Sequence, residues 1–199
     1  MRKPAALIPY IALVAAIAGG LIWHLGNQRP RFGRVIATGQ ATIGGPFSLT
    51  DQNGRIRNDK DFAGRYMLVY FGYTNCPDVC PTTLAVIAEA MKRLGRLSQK
   101  IVPIFVTVDP ARDTPKVLKA YLNAFGSEFV GLTGTEPSIA LIAKEYHVWY
   151  HRHKPVNGLY AVDHSNAIYL MGPDGKFIAD YNETMGPKGL AKALRKQMS

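Results

Sequence analysis

Cys76 and Cys80 are the only two cysteines among 199 residues. They stand four apart in Cys76-Pro77-Asp78-Val79-Cys80-Pro81, after a strand-like apolar run and before a helical pattern. In a helical turn, residues four apart share a face with Cα atoms roughly 6 Å apart, inside the window for a disulfide and close enough for one metal ion to hold both sulfurs. The pair can therefore serve as a redox couple or as two metal ligands. A structural staple fits poorly, because a bridge closing so short a loop removes little entropy from the unfolded chain. Cysteine usage suits an oxidising compartment, where paired thiols become a disulfide or are kept reduced for use.

The elements that must position these thiols follow from periodicity. Residues 65–72 form a short, apolar, aromatic-rich run that reads as a buried strand feeding the cysteine loop. Pro81 lacks an amide hydrogen and suits the first turn of a helix, so a helix is predicted to begin there and run over residues 82–97. Leu84, Ile87, Ala88, Met91 and Leu94 keep helical spacing along one face. Cys80 then falls at the helix cap, where the positive end of the dipole is expected to lower its pKa and leave it readily deprotonated.

Elsewhere, residues 47–50 read as a strand entering an Asn53-Gly54 turn, with a return over 55–57. A second buried strand is predicted over 101–108. Thr114 is a helix cap with Pro115 at the first helical position, and a helix over 116–125 follows. A strand over 129–132, a helix from 135 to 144 and a strand over 147–151 come next. A polar excursion then ends at Asp163-His164. Strands over 166–171 and 176–181 flank the hairpin signature Pro173-Asp174-Gly175, and Gly186-Pro187 precedes a last helix. Strands alternating with helices and closed by a hairpin and helix make an α/β fold, a thioredoxin-like sandwich around a mixed central sheet.

Residues 5–23 carry no charge and are long enough to span a bilayer, so the fold is expected to be preceded by one N-terminal transmembrane helix. Arg2 and Lys3 suit a cytoplasmic N-terminus, although Arg29, Arg31 and Arg34 on the other side blur the asymmetry. A cleaved signal peptide is the alternative, since Ala16-Ile17-Ala18 has a small-x-small pattern, but the apolar run continues through Leu21-Ile22-Trp23. The expected organisation is a membrane anchor at 1–25, a Gly- and Pro-containing linker at 26–45, and a single domain at 46–199.

Net charge is +10. The first 34 residues hold five basic and no acidic groups, which leaves 19 basic against 14 acidic residues in the remainder. That surplus is a solvated face or a docking aid for an acidic partner, and no nucleic-acid partner is expected.

The chain resembles the Sco/SenC family of copper-binding assembly factors for cytochrome c oxidase. Three stretches carry the likeness: residues 70–81, the segment Val108-Asp109-Pro110-Ala111-Arg112-Asp113-Thr114-Pro115, and Val162-Asp163-His164-Ser165 before a Tyr-Leu strand. The resemblance covers roughly residues 40–196. It implies that Cys76, Cys80 and His164 are copper ligands, and that the chain delivers copper to the binuclear centre of cytochrome c oxidase subunit II or reduces that centre's cysteines. It also implies an upstream copper donor or thiol reductant, and a single pass through the inner membrane with the domain in the periplasm, or in the intermembrane space if mitochondrial. Two thiolates and an imidazole are a soft set suited to copper, as Cu(I), Cu(II) or both, whereas a closed zinc site wants a fourth donor.

A membrane-anchored thiol-disulfide oxidoreductase is the rival reading, with Cys76 and Cys80 as its catalytic pair. Against it, the three-residue spacer is one longer than such enzymes use, and the segment before strand 166–171 lacks their proline. A peroxidase of the peroxiredoxin kind ranks third.

The remaining candidates have plainer explanations beside them. Asp163 can orient the His164 ring or influence its basicity. His147, His151 and His153 share one face if their strand persists and can make a secondary metal patch, but a solvent-facing strand is the favoured explanation. Asp109, Arg112 and Asp113 read by default as a charged helix start, to which the family resemblance adds a recognition or site-supporting role. Asp78 tunes the thiols or faces water, and the scattered methionines are expected to pack in the core.

Overall fold

The computed structural model describes residues 43–198. The expected transmembrane helix at 5–23 and most of the expected linker lie outside the described residues, among which no helix is long and apolar enough to cross a membrane.

The chain builds β1 (Ser48–Asp51), β2 (Ile56–Asn58), β3 (Tyr66–Gly72), α1 (Val79–Leu94), β4 (Ile101–Thr107), α2 (Pro115–Leu122), β5 (Val130–Thr133) and α3 (Glu136–Glu145). It continues with β6 (Tyr150–Arg152), β7 (Val162–His164), β8 (Ile168–Met171), β9 (Phe177–Tyr181) and α4 (Gly186–Met198). Seven strands form one sheet in the order β2-β1-β5-β4-β3-β8-β9. The central three run parallel, and β1, β8 and their outer neighbours β2 and β9 pair antiparallel. This is the mixed sheet of a thioredoxin-like α/β sandwich.

Parallel neighbours need crossovers, and both β3-α1-β4 and β4-α2-β5 step in the same direction across the sheet. Right-handed crossovers therefore lay α1 and α2 on one face. Tyr70 and Phe105 pair in register and Phe105 reaches Tyr121 of α2 on that face, while Phe71 meets Tyr146 and Tyr169 on the other. All seven β4 residues are buried, as a central strand covered on both faces requires. α4 packs along α1 through Leu190, Ala191 and Leu194.

Two elements differ from expectation. α1 begins at Val79, two residues before Pro81, because proline is tolerated anywhere in a first turn whose amide hydrogens lack intrahelical acceptors. The strand expected over 147–151 is β6, Tyr150–Arg152, since His147 turns the chain at φ +55 in the left-handed region. β6 pairs only with β7, forming a separate two-stranded hairpin beside the main sheet.

Candidate metal centre

β3 delivers the chain to the sheet edge where α1 starts, so the cysteine loop sits at the carboxyl end of the parallel strands, the crevice side of an α/β sheet. Cys80 is fully buried and Cys76 half-buried, and both are free thiols. The Cys80 amide points to Cys76 Sγ at 3.4 Å. Cys80 can sit this deep because Gly72 leaves room. A Cβ at that position would lie 2.9 Å from Cys80 Sγ and from the Phe105 ring.

The loop between β3 and α1 is held from below by Asp113. This buried carboxylate accepts the Thr74 amide at 3.0 Å, the Thr74 hydroxyl at 2.5 Å and the Thr107 hydroxyl at 2.6 Å. Burial pushes the Asp113 pKa up while those hydrogen bonds pull it down. Of the two readings given for Asp113, the supporting role is the one its contacts favour. Asp78 is exposed at the helix start.

His164 arrives on β7, opposite Tyr150 of β6. Its Nε2 lies 3.3 Å from Cys80 Sγ although the residues are 84 apart in sequence. Its Nδ1 lies 3.0 Å from the Ser165 carbonyl oxygen, and since a carbonyl can only accept, this contact places the proton on Nδ1 and leaves the Nε2 lone pair facing the sulfurs. Burial holds the imidazole pKa below its ordinary value, opposed by that carbonyl and by the Asp163 charge. The expectation that Asp163 orients the ring does not hold. Its carboxylate points away to His153 Nε2 at 2.7 Å, because neighbouring residues of a strand face opposite sides.

The donor atoms of Cys76, Cys80 and His164 all lie within 4.8 Å of one another, the one such His/Cys/Asp/Glu group among the described residues. The expectation of a readily deprotonated Cys80 is overturned. With α1 starting at Val79, Cys80 lies inside the first turn and under the fold, where burial pushes its thiol up to about 12, outweighing the helix end.

Tyr70, Tyr73, Tyr160, Asn166 and Glu183 have no role legible from sequence alone, whereas Asp109 and Arg112 are candidates there. The Tyr70 and Tyr73 rings meet His164 edge-on, at 6.2 and 6.0 Å. Tyr70 donates to Asn166 Oδ1 at 3.0 Å, and the Asn166 amide donates to Glu183 at 2.6 Å. Tyr73 Oη accepts the Val162 amide at 3.4 Å, tying the cysteine loop to β7. Arg112 lies over the Tyr160 ring at 3.7 Å and donates to the Tyr160 carbonyl at 3.0 Å, while buried Asp109 accepts from Arg112 and, at 2.8 Å, from the Tyr160 hydroxyl. Apart from Tyr160 and Glu183, these residues lie inside or beside the three stretches already singled out, so aromatic content within a thiol motif was the available signal.

The SCO1/SenC family model matches residues 36–199. The chain belongs to the SCO1/SenC family. An SCO2-like protein of Rickettsia felis is 37% identical, the alignment covering 98% of this chain and 99% of that protein. The solved structure of Bradyrhizobium japonicum ScoI with copper bound is 43% identical with a TM-score of 0.73, over 77% of this SCO1/SenC chain and 98% of that one. BsSco, described as a member of the Sco family of cytochrome c oxidase assembly proteins with a disulfide switch, is 27% identical with a TM-score of 0.62, over 78% and 91% of the two chains.

Proposed function

We propose that this chain is a copper chaperone that takes copper on Cys76, Cys80 and His164 and helps assemble the binuclear copper centre of cytochrome c oxidase. The observation that carries the reading is the convergence of two sulfurs and one bare imidazole nitrogen within 4.8 Å. Copper here is cargo, and the donor set suits it, since thiolates favour Cu(I) and the imidazole extends the set to Cu(II). Three donors leave coordination open for a ligand of the receiving protein, and half-buried Cys76 is the sulfur nearest solvent. Cys80 must give up its proton on loading, so copper uptake releases protons.

The same reading includes a membrane anchor at 1–25, a linker at 26–45 and the copper-binding domain at 46–199. The protein then sits in the inner membrane by a single pass, with the domain in the periplasm or intermembrane space, where cytochrome c oxidase subunit II receives the metal and an upstream donor or reductant supplies it. X-ray absorption on the reduced, copper-loaded chain tests the site: two sulfur neighbours and one nitrogen are expected, and a shell without nitrogen overturns it. His164→Ala is expected to weaken copper binding about tenfold or more while leaving the thiol titration intact.

A second reading, a membrane-anchored thiol-disulfide oxidoreductase acting on exported or oxidase-subunit cysteines, is favoured by the two free, adjacent thiols and by the switch described for BsSco. Ligation needs thiolates and oxidation removes them, so copper and a Cys76–Cys80 disulfide exclude each other. Robust insulin reduction by the copper-free chain would promote this reading.

A further inference from the structure

Asp163 and His164 are consecutive in β7, so their side chains leave opposite faces of the hairpin. His164 turns inward to the sulfurs. Asp163 turns outward, where it stands directly opposite His151 of β6. His153, two residues further along, presents to the same face, with Nε2 2.7 Å from Asp163 Oδ2 and its ring centre 5.3 Å from that of His151. All three side chains are exposed. Two imidazoles two residues apart, with a carboxylate across on the neighbouring strand, put three donors on one exposed face of the hairpin, His153 and Asp163 in contact and the His151 ring beside them.

We propose that His151, His153 and Asp163 form a second metal site, distinct from the cysteine centre, that takes a borderline divalent cation, Cu(II) ahead of Zn(II). Imidazole and carboxylate are the ligands such ions prefer, and for a given nitrogen-oxygen set Cu(II) binds tighter than Zn(II). The frame beneath is fixed. Arg152 points to the other face and is held by Glu136 at 2.5 Å and Asp109 at 3.4 Å. The hairpin loop is closed by Val156–Leu159 backbone bonds of 2.8 and 3.0 Å around Asn157-Gly158. The ligand side chains can turn on that frame. His151 lies stacked along Trp149, with ring centres 6.3 Å apart, and its exposed side chain has to turn from there toward the other two donors for an ion to be held. Lys154 is the neighbouring cation, and it follows His153 on the alternate side of the chain. His147, the third histidine of the sequence motif, is removed from this face by its turn.

The test is titration of the full chain with Cu(II) sulfate after the cysteine centre has been silenced, either as Cys76→Ser/Cys80→Ser or by oxidising the native pair to its disulfide. The expected result is one Cu(II) per chain with electron-spin-resonance couplings to two imidazole nitrogens and no sulfur-to-copper charge-transfer band. His151→Asn or His153→Asn is expected to weaken that binding about tenfold or more, with His147→Asn without effect. Because all three positions are exposed, unchanged melting temperatures of the metal-free variants confirm that binding alone is altered. Absence of Cu(II) binding in both silenced forms, or binding that survives loss of both histidines, overturns the proposal and leaves the cysteine centre untouched.

Discussion

The two halves of the metal centre are supported in different ways. The sulfurs are set on the core: Cys80 is fully buried with Gly72 making its space, half-buried Cys76 packs against it, and a buried carboxylate holds their loop. The imidazole belongs to a satellite hairpin outside the main sheet, strapped to the domain by Tyr73, Arg112, Asp109 and Tyr160. A site built half on core and half on a strapped hairpin draws its sulfurs and its nitrogen from separately supported elements.

Acid and alkali should separate the halves most widely. The buried Cys80 thiol keeps its proton in the folded chain up to about 12, whereas the unfolded chain loses it near 9.0. The folded state therefore binds more protons in that window, and copper-free stability falls as pH rises through it, on the order of 4 kcal/mol by pH 12. His164 has the opposite sign. Its folded pKa lies below the ordinary 6.5, so the unfolded state binds more protons and stability falls as pH drops from 6.5 through the folded value. Thermal melts of the copper-free chain across pH should show both flanks, with Cys80→Ala reducing the alkaline one and His164→Asn the acid one. Flanks that respond to neither variant would erase the contrast.

Asp113→Ala comes next. It strips acceptors from Thr74 and Thr107 together, and a loss of about 2–4 kcal/mol is expected in denaturant unfolding. Gly72→Ala drives a methyl into Cys80 Sγ and Phe105, for an expected cost of about 1–3 kcal/mol and weaker copper binding. Both belong to the sulfur half and should be felt as global stability. Tyr160→Phe removes one hydrogen bond from the hairpin strap, with about 1 kcal/mol expected. Its clearer effect should be on the copper spectrum, through the nitrogen ligand. If Tyr160→Phe cost as much global stability as Asp113→Ala, the hairpin would be part of the core after all.

Short-range information in the sequence determined a good deal. Four-residue spacing kept the two thiols together at the start of α1, Cys76 in the loop and Cys80 in the first turn, Thr114 with Pro115 announced α2, and Pro173-Asp174-Gly175 announced the turn between β8 and β9. Each of these rests on neighbours within a few positions, where periodicity and capping chemistry act. The nitrogen of the centre was legible only through a resemblance, because nothing local brings His164 to Cys80 across 84 residues.

Tertiary structure alone decided the properties that depend on distant partners. The place of Cys80 beside a helix end predicts a lowered pKa, yet its burial against β3 reverses the sign. Asp163 sits beside His164 in sequence and faces His153 in space, and Asp113 supports Thr74, 39 residues away. Spacing along the chain dictates which residues share a turn or a face. Desolvation and long-range hydrogen bonds are set by what the fold lays over them, and only the packed chain contains that information.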